Sequence, residues 1–268
     1  MRAYELMYLV QPAADEERFT AVSDRLQQTI AEQGIRITKV LLTHGHVDHA
    51  SAAGTMAEHY GVKALGVTLS REQATWAQEK IKKMGLDHLA EVRHSDYRDV
   101  RETGFDAVSS IGLTEHIGIA NLSSYARFLA GKLVPQGRLL NHCITRPDDH
   151  SRAISKRGFI ARYVFPDGEL PGVARIIREL QGAGLEVHHE ENLRVHYAKT
   201  LTGWCDNLDA HWEEAVEEVG LGTARVWALY LAGSRLGFER DEIELHQVLA
   251  TKTADGLSGM PLRPDWGV

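Results

Sequence analysis

Glu115 and His142 are the residues whose types and settings most plainly offer chemistry. Each stands at the end of a short apolar run. Glu115 lies in the polar turn that closes residues 105–118 (FDAVSSIGLTEHIG), after Phe105, Ala107, Val108 and Ile111, and His142 lies near the end of residues 137–144 (GRLLNHCI). Short apolar runs that break into polar turns read as buried parallel strands, and parallel sheets gather ligands outside the carboxyl ends of their strands. Two adjacent strand ends would then present a carboxylate and an imidazole to one crevice, a pair able to orient a small ion or move a proton.

A second constellation is His44-Gly45-His46-Val47-Asp48-His49, directly after the apolar run of residues 35–43. Imidazoles and a carboxylate crowded on a loop that follows a strand suit zinc. T-H-G-H-V-D-H-A resembles the metal-binding loop of the metallo-β-lactamase and glyoxalase II families, and A-S-A-A-G-T-M-A-E-H-Y-G-V fits the helix that follows it there. The resemblance implies His44, His46, Asp48 and His49 as ligands and a zinc-dependent hydrolase as the rival function. The family's further ligands have no counterpart: the neighbourhoods of His94, His142, His188, His189 and His196 do not match it, so the loop is half a site.

The elements that must position these groups follow from periodicity. Residues 3–10 read as a strand. Phe19, Val22, Leu26 and Ile30 give helical spacing, with Gly34 as its cap. M-R-A-Y-E-L-M-Y-L-V-Q-P resembles the start of the sixth protein of the bacterial small ribosomal subunit, but only over residues 1–34, which leaves an appended strand–helix segment before the main domain at 35–268. Further on, Ser70 is a natural N-cap with Gln73 three residues later, and Ala74, Ala77 and Ile81 form the inner face of that helix. Strands at 89–94, 105–110 and 138–143, with a helix at 123–133 and a turn at 135–137, alternate as a doubly wound, mostly parallel sheet requires. Residues 199–237 look helical, with Trp204, Leu208, Trp212, Ala215 and Val219 recurring at helical spacing and a second helix at 225–236. An alternating run at 243–251 reads as a last, antiparallel strand, and the tail after it as loose.

The chain has 268 residues, 43% of them hydrophobic and 25% charged, enough for one large α/β domain or two small ones. A net charge of −7 speaks against a nucleic-acid partner. Two cysteines, Cys143 and Cys205, make no disulfide framework and point to a reducing cytoplasm. No apolar run reaches the roughly 18 residues of a membrane span, and the first residues do not read as a signal peptide. A lipid substrate would be met at the membrane surface, as a peripheral protein meets it.

E-H-Y-G-V-x-x-x-G-V-T-L-S-R-E-Q, D-Y-R-D-V, F-D-A-x-S-S-I-G-x-x-E-H-I-G, G-R-L-L-N-H-x-I-T-R-P, F-I-x-R-Y-V-F-P-D-G-E-L-P, L-R-x-H-Y-A-x-T-L and H-Q-V-L, in this order over about residues 58–252, resemble the cyclopropane-fatty-acyl-phospholipid synthase family. These are class I S-adenosylmethionine-dependent methyltransferases. The resemblance implies a Rossmann-like seven-stranded sheet with a helical insertion, about 199–238, covering a lipid pocket. It places Thr68, Leu69, Ser70 and Gln73 at the ribose of S-adenosylmethionine, Asp96 and Tyr97 at the adenine, and Ser110 and Ile111 on the methyl-donor side. It implies methyl transfer to the cis double bond of an unsaturated phospholipid acyl chain. Bicarbonate would act as base, held by Glu115, His142, the backbone of Ile144, and Tyr197. Two features depart from the family. Its glycine-rich D-x-G-C-G-W-G loop is replaced by T-H-G-H-V-D-H-A-S-A-A-G, and its N-terminal segment, with one cysteine of the bicarbonate site, has no likeness in residues 1–34. The chain therefore reads as a mosaic, a chimera of three sources, whose fold survives and whose cofactor affinity is reduced. A stable protein without turnover is the non-enzymatic alternative.

Overall fold

The computed structural model describes residues 38–42, 47–150, 155 and 157–262, with side chains from Ala53 onward within the first helix. Residues 1–34, expected to form an appended strand and helix, lie outside the described residues. The elements in order are β1 (Lys39–Leu42), α1 (Val47–Tyr60), β2 (Lys63–Thr68), α2 (Arg71–Lys83), β3 (Ala90–His94), β4 (Phe105–Ile111), α3 (Thr114–Ile117), α4 (Leu122–Lys132), β5 (Leu133–Thr145), α5 (Phe159–Tyr163), α6 (Val173–Gly182), β6 (Glu186–Asn192), α7 (Arg194–Ala210), α8 (Trp212–Glu239) and β7 (Glu244–Thr251).

The strands form one seven-stranded sheet in the order β3-β2-β1-β4-β5-β7-β6. β1 to β5 are parallel, and β7 runs antiparallel between β5 and β6. The order reverses between β1 and β4, and such a switch point opens a crevice at the carboxyl edge of a sheet. Alternation along the strands sends neighbouring residues to opposite faces. Leu41, Leu65, Val108 and Leu139 pack under α4 and α6, through Leu122, Ala126, Leu129, Ile176 and Leu180. Val40, Leu42, Ala64 and Val92 pack under α1 and α2, through Ala53, Ala57, Ala74, Ala77 and Ile81. A third cluster joins Leu245 and Ile144 to Ala198 and Leu201 of α7 and Phe238 of α8, and is the base of a helical cover.

The expected N-cap is present: Ser70 Oγ accepts from Gln73 N at 3.2 Å and starts α2. The turn expected at 135–137 sits inside a longer strand, because β5 begins at Leu133. Gln136 takes φ 62° there, and the pairing with β4 shifts register between Phe105 and Ala107. The two helices expected within 199–237 divide earlier than read: α7 ends at Ala210, and α8 starts at Trp212 and breaks at Gly220, whose φ of 78° and ψ of 154° are not helical. Four elements have no counterpart in the sequence reading: α3, read as a polar turn, α5, α6 and β6. α6 is amphipathic around Ile176 and Leu180, and β6 (EVHHEEN) is an edge strand without an apolar run.

Candidate functional site

Parallel pairing brings the carboxyl ends of β3, β2, β1, β4 and β5 to one edge: Thr68 pairs with His94, Leu42 with Ser109, and Ile111 with His142. The sequence-predicted positions that follow these strands therefore share that edge. The loop after β1 does not enter the description. His44 and His46 lie outside the described residues, as do the side chains of Asp48 and His49, whose backbone belongs to the first turn of α1. Among the described residues no group of three or more His, Cys, Asp or Glu is placed to hold a metal ion.

At the end of β2, Thr68 is buried and its hydroxyl donates to Gln73 Oε1 at 2.8 Å, while Ser70 N donates to Thr68 Oγ1 at 3.2 Å. The Gln73 carbonyl is thus engaged, which leaves its amide NH₂ as the donor end. Between these polar groups Leu69 is 72% exposed, an apolar platform on the lip of the crevice. The Ser70 hydroxyl is engaged as well, accepting from Gln73 N and donating to Glu72 Oε2 at 3.0 Å. After β3, Asp96 caps a short turn by accepting from Arg98 N at 2.8 Å, and both its oxygens accept from the Arg98 guanidinium at 2.9 and 2.7 Å. That guanidinium holds the carboxyl below its usual range. Asp96 is therefore more committed than a free acceptor for an exocyclic amine would be. Tyr97 sets its ring edge-on to Tyr125 and Phe128 of α4, with centroids 5.0 and 5.1 Å apart. At the end of β4, Ser110 is fully buried and its hydroxyl is bonded to Tyr125 Oη at 2.7 Å. Of that pair only Ile111 keeps accessible surface.

Glu115 sits in the single-turn helix α3, which two residues separate from β4. Three bonds deliver it. Thr114 Oγ1 donates to the fully buried Asn141 Oδ1 at 2.7 Å, Glu115 O accepts from Glu169 N at 2.8 Å, and Glu115 Oε1 accepts from Ile144 N at 2.8 Å. The last bond differs from expectation. The Ile144 backbone donor is already taken by Glu115 and is not free for a bound oxyanion. Glu115 Oε2 is buried and has no partner among the described residues. Burial pushes the carboxyl up to about 7 against the lowering effect of the Ile144 N–H.

His142 lies two residues before Ile144, on the same face of β5. Across the sheet it opposes Gln247 of β7, which in turn opposes Glu191 of β6. Gln247 Nε2 donates to Glu191 Oε2 at 2.8 Å, so its carbonyl oxygen turns to His142. A hydrogen bond to Gln247 raises the imidazole, yet burial outweighs it and holds His142 down at about 4. Nδ1 is the ring nitrogen left without a partner among the described residues, so Nε2 carries the proton toward Gln247 and Nδ1 presents a lone pair. Two unmet polar atoms, Glu115 Oε2 and His142 Nδ1, thus stand on neighbouring strand ends.

The cover lies over the same sheet face as His142 and Ile144. Tyr197 of α7 packs in the cluster that contains Ile144, with its ring 4.8 Å from Phe238 and 5.8 Å from Trp204. Tyr230 of α8 adds a second phenol. Burial pushes its hydroxyl up, and the Glu115 charge adds to that. Sequence reasoning missed Tyr230, which passes for a core position in an aromatic stripe. It missed Asn141, Glu169, Gln247 and Glu191 as well. The signal for these was the pairing register, which a sequence does not print.

The family model of mycolic acid cyclopropane synthetases matches residues 20–248. A probable fatty acid methyltransferase of Mycobacterium tuberculosis is 60% identical over 211 residues, covering 78% of this chain and 49% of that protein. A probable fatty acid methyltransferase of Pseudomonas putida is 43% identical, covering 76% and 53%. The cyclopropane-fatty-acyl-phospholipid synthase of Escherichia coli is 28% identical, covering 90% and 58%. The chain thus spans about half the length of the curated relatives it matches. Among solved structures, the cyclopropane synthase MmaA2 from Mycobacterium tuberculosis superposes with a TM-score of 0.72 at 22% identity, covering 84% of this chain and 83% of that one.

Proposed function

Because the chain belongs to the mycolic acid cyclopropane synthetase family, a family of class I S-adenosylmethionine-dependent methyltransferases, we propose that it transfers a one-carbon unit to the cis double bond of an unsaturated phospholipid acyl chain. The observation that carries this reading is the buried Glu115, one oxygen on Ile144 N and the other unmet, with the unmet Nδ1 of His142 two residues before Ile144 on β5 and an apolar cluster over Ile144. When bound, the cofactor supplies an electrophilic methyl group on a sulfonium. Leu69, Ser70 and Gln73 would hold its ribose, Thr68 would brace Gln73, and Ile111 would line the methyl side.

Attack by an alkene on such a methyl group would leave positive charge on the neighbouring acyl carbon. A buried carboxylate stabilises that charge strongly because no water screens it. Ring closure then releases a proton from the new methyl group. Bicarbonate has a single O–H, which would go to His142 Nδ1, and Glu115, whose carboxyl is pushed up to about 7, would donate to the bicarbonate when protonated. Tyr197 would donate to it from the cover.

The chain would meet its lipid at the cytoplasmic membrane surface. Among the described residues no helix is long and apolar enough to cross a membrane. α8 exposes Val219, Leu221, Trp227 and Leu229, apolar groups suited to a lipid surface. The test uses methyl-labelled S-adenosylmethionine with vesicles of dioleoyl or dipalmitoyl phosphatidylglycerol. Label should enter acyl chains of the unsaturated vesicles alone, and Glu115→Gln should slow transfer by about 100-fold or more. Equal labelling of both lipids, or full transfer by Glu115→Gln, would refute the reading.

A further inference from the structure

We propose that Thr145 and His246 are positioning residues for Glu115. With Glu190 they form a hydroxyl–imidazole–carboxylate chain across β5, β7 and β6, which holds the far end of β5 and so aims the Ile144 N–H at the Glu115 carboxylate. The inference rests on the reading above, in which Glu115 acts in transfer.

The end of β5 is an overhang. Its pairing with β4 stops at Ile111 and His142, where Gly112 N donates to His142 O at 2.9 Å, while its pairing with β7 runs on to Thr145 and Glu244. Residues 143–145 therefore have a strand on one side only. On the open side the next donor, Ile144 N, goes to Glu115 Oε1 at 2.8 Å, so a side-chain carboxylate stands where β4 has ended. That bond depends on the overhang holding still. Further on, Arg146 N donates to Pro171 O at 3.1 Å and ties down the chain beyond, which leaves the overhang itself to be held from the side.

Thr145 and His246 supply that hold. Side chains alternate along a strand, so both lie on the sheet face opposite Ile144, Leu245 and the cover. They are diagonal neighbours on β5 and β7, at 0% and 4% exposure, and Thr145 Oγ1 lies 2.8 Å from His246 Nδ1. On the other side of the ring, Nε2 faces Glu190 Oε1 of β6 at 3.4 Å and Glu244 Oε2 of β7 at 3.8 Å. Two carboxylates at Nε2 keep the proton there, so Nδ1 is the acceptor and the Thr145 hydroxyl donates. The chain of contacts thus crosses three strands and ends one residue past the Ile144 N–H. Removing one partner of a buried hydrogen bond leaves the other unmet, and an overhang paired on one side can shift to relieve it.

The test is a carbon-13 NMR titration of the full chain labelled at glutamate carboxyls and histidine rings, with Glu115→Gln and His142→Gln assigning the two resonances. The Ile144 N–H lowers the Glu115 midpoint. Thr145→Val removes the hydroxyl at nearly constant shape, so it should raise that midpoint from about 7 by roughly 0.5 to 1 pH unit and leave His142 at about 4. Thr145→Ser keeps the hydroxyl and should leave both in place. General loosening has the opposite sign, because water entering the site lowers the Glu115 midpoint toward 4.5 and raises that of His142 toward 6.5. If Thr145→Val does not fold, the double variant Thr145→Val with His246→Leu takes its place, since it replaces both partners by apolar groups and leaves neither unmet. A Glu115 midpoint that stays fixed or falls overturns the proposal. Label transfer is scored separately. If the midpoint rises as expected while Glu115→Gln transfers label normally, the positioning assignment stands and the reading of the site fails.

Discussion

Burying both Glu115 and His142 should write two opposite pH dependences into the stability of this chain. The Glu115 carboxyl goes from 4.5 in the unfolded chain to about 7 when folded. Between those values the folded state binds the extra proton, so stability falls as pH rises, and the full cost, on the order of 3 kcal/mol, is present above about pH 7. The His142 imidazole goes from 6.5 to about 4. There the unfolded state binds the extra proton, so stability falls as pH drops from 6.5 toward 4, by a similar order of magnitude. From about pH 4.5 to 6.5 the two slopes oppose and largely cancel, and the wild-type contribution from this pair is nearly flat. Glu115→Gln keeps an oxygen for the Ile144 N–H and removes the ionisation. It should gain on wild type progressively from pH 4.5 to 8, by up to about 3 kcal/mol. His142→Gln should show the reverse, gaining on wild type as pH falls below 6.5. Urea unfolding followed by tryptophan fluorescence at pH steps from 5 to 8 reads both. If Glu115→Gln runs parallel to wild type across that range, the carboxylate is paired after all, and the electrostatic account of the site is wrong.

Further outcomes follow from the other contacts. Tyr125→Phe removes the partner of the fully buried Ser110 hydroxyl and should cost about 1–3 kcal/mol in urea unfolding, while Ser110→Ala with Tyr125→Phe should cost less than the two singly summed. Leu129→Ala empties a fully buried position under the sheet and should lose about 2–5 kcal/mol. S-adenosylmethionine and its demethylated product should raise the melting midpoint, by about 2.7 kcal/mol of linkage at 100 times the dissociation constant, and Gln73→Ala should weaken that shift. A shift with zinc that survives His46→Ala would remove the half-site at residues 44–49 as its source.

The parallel strands were legible because buried strands read as short apolar runs bounded by turns, and the antiparallel β7 because it alternates. β6 was not. An edge strand carries Glu186, His188, Glu190 and Glu191 without penalty, because much of it meets water rather than core. Glu115 and His142 could be found because each follows an apolar run, and their neighbourhood was fixed by the adjacency of β4 and β5. What the sequence could not carry is which polar atoms are spent. Ser110, expected beside the methyl donor, gives its hydroxyl to Tyr125; Asp96 is held by Arg98; and the Ile144 N–H belongs to Glu115. Each of these is a choice of partner among several within reach, decided by side-chain direction after the sheet has closed. The family model's match begins at residue 20, so it takes in the histidine-rich loop that reads like a different family.

The unmet atoms are better understood as held than as left over. Asn141 is fully buried, yet its oxygen takes the Thr114 hydroxyl and its nitrogen reaches Cys143, so a polar side chain in the core fixes where α3 begins. Glu169 fixes where α3 ends: its backbone N–H takes Glu115 O, and its carboxylate accepts from Ile119 N at 2.8 Å. Gly118, at φ 81°, lets the chain turn between those two bonds. On the far side, Glu191 aims Gln247 and Gln247 aims His142. Buried hydrogen bonds of this kind stabilise only modestly, but a missing one costs more, so each anchor holds its geometry against relaxation. A four-residue helix could otherwise shift to let Glu115 reach water. Pinned at both ends, it cannot, and the carboxylate stays where only a ligand or the cover can complete it.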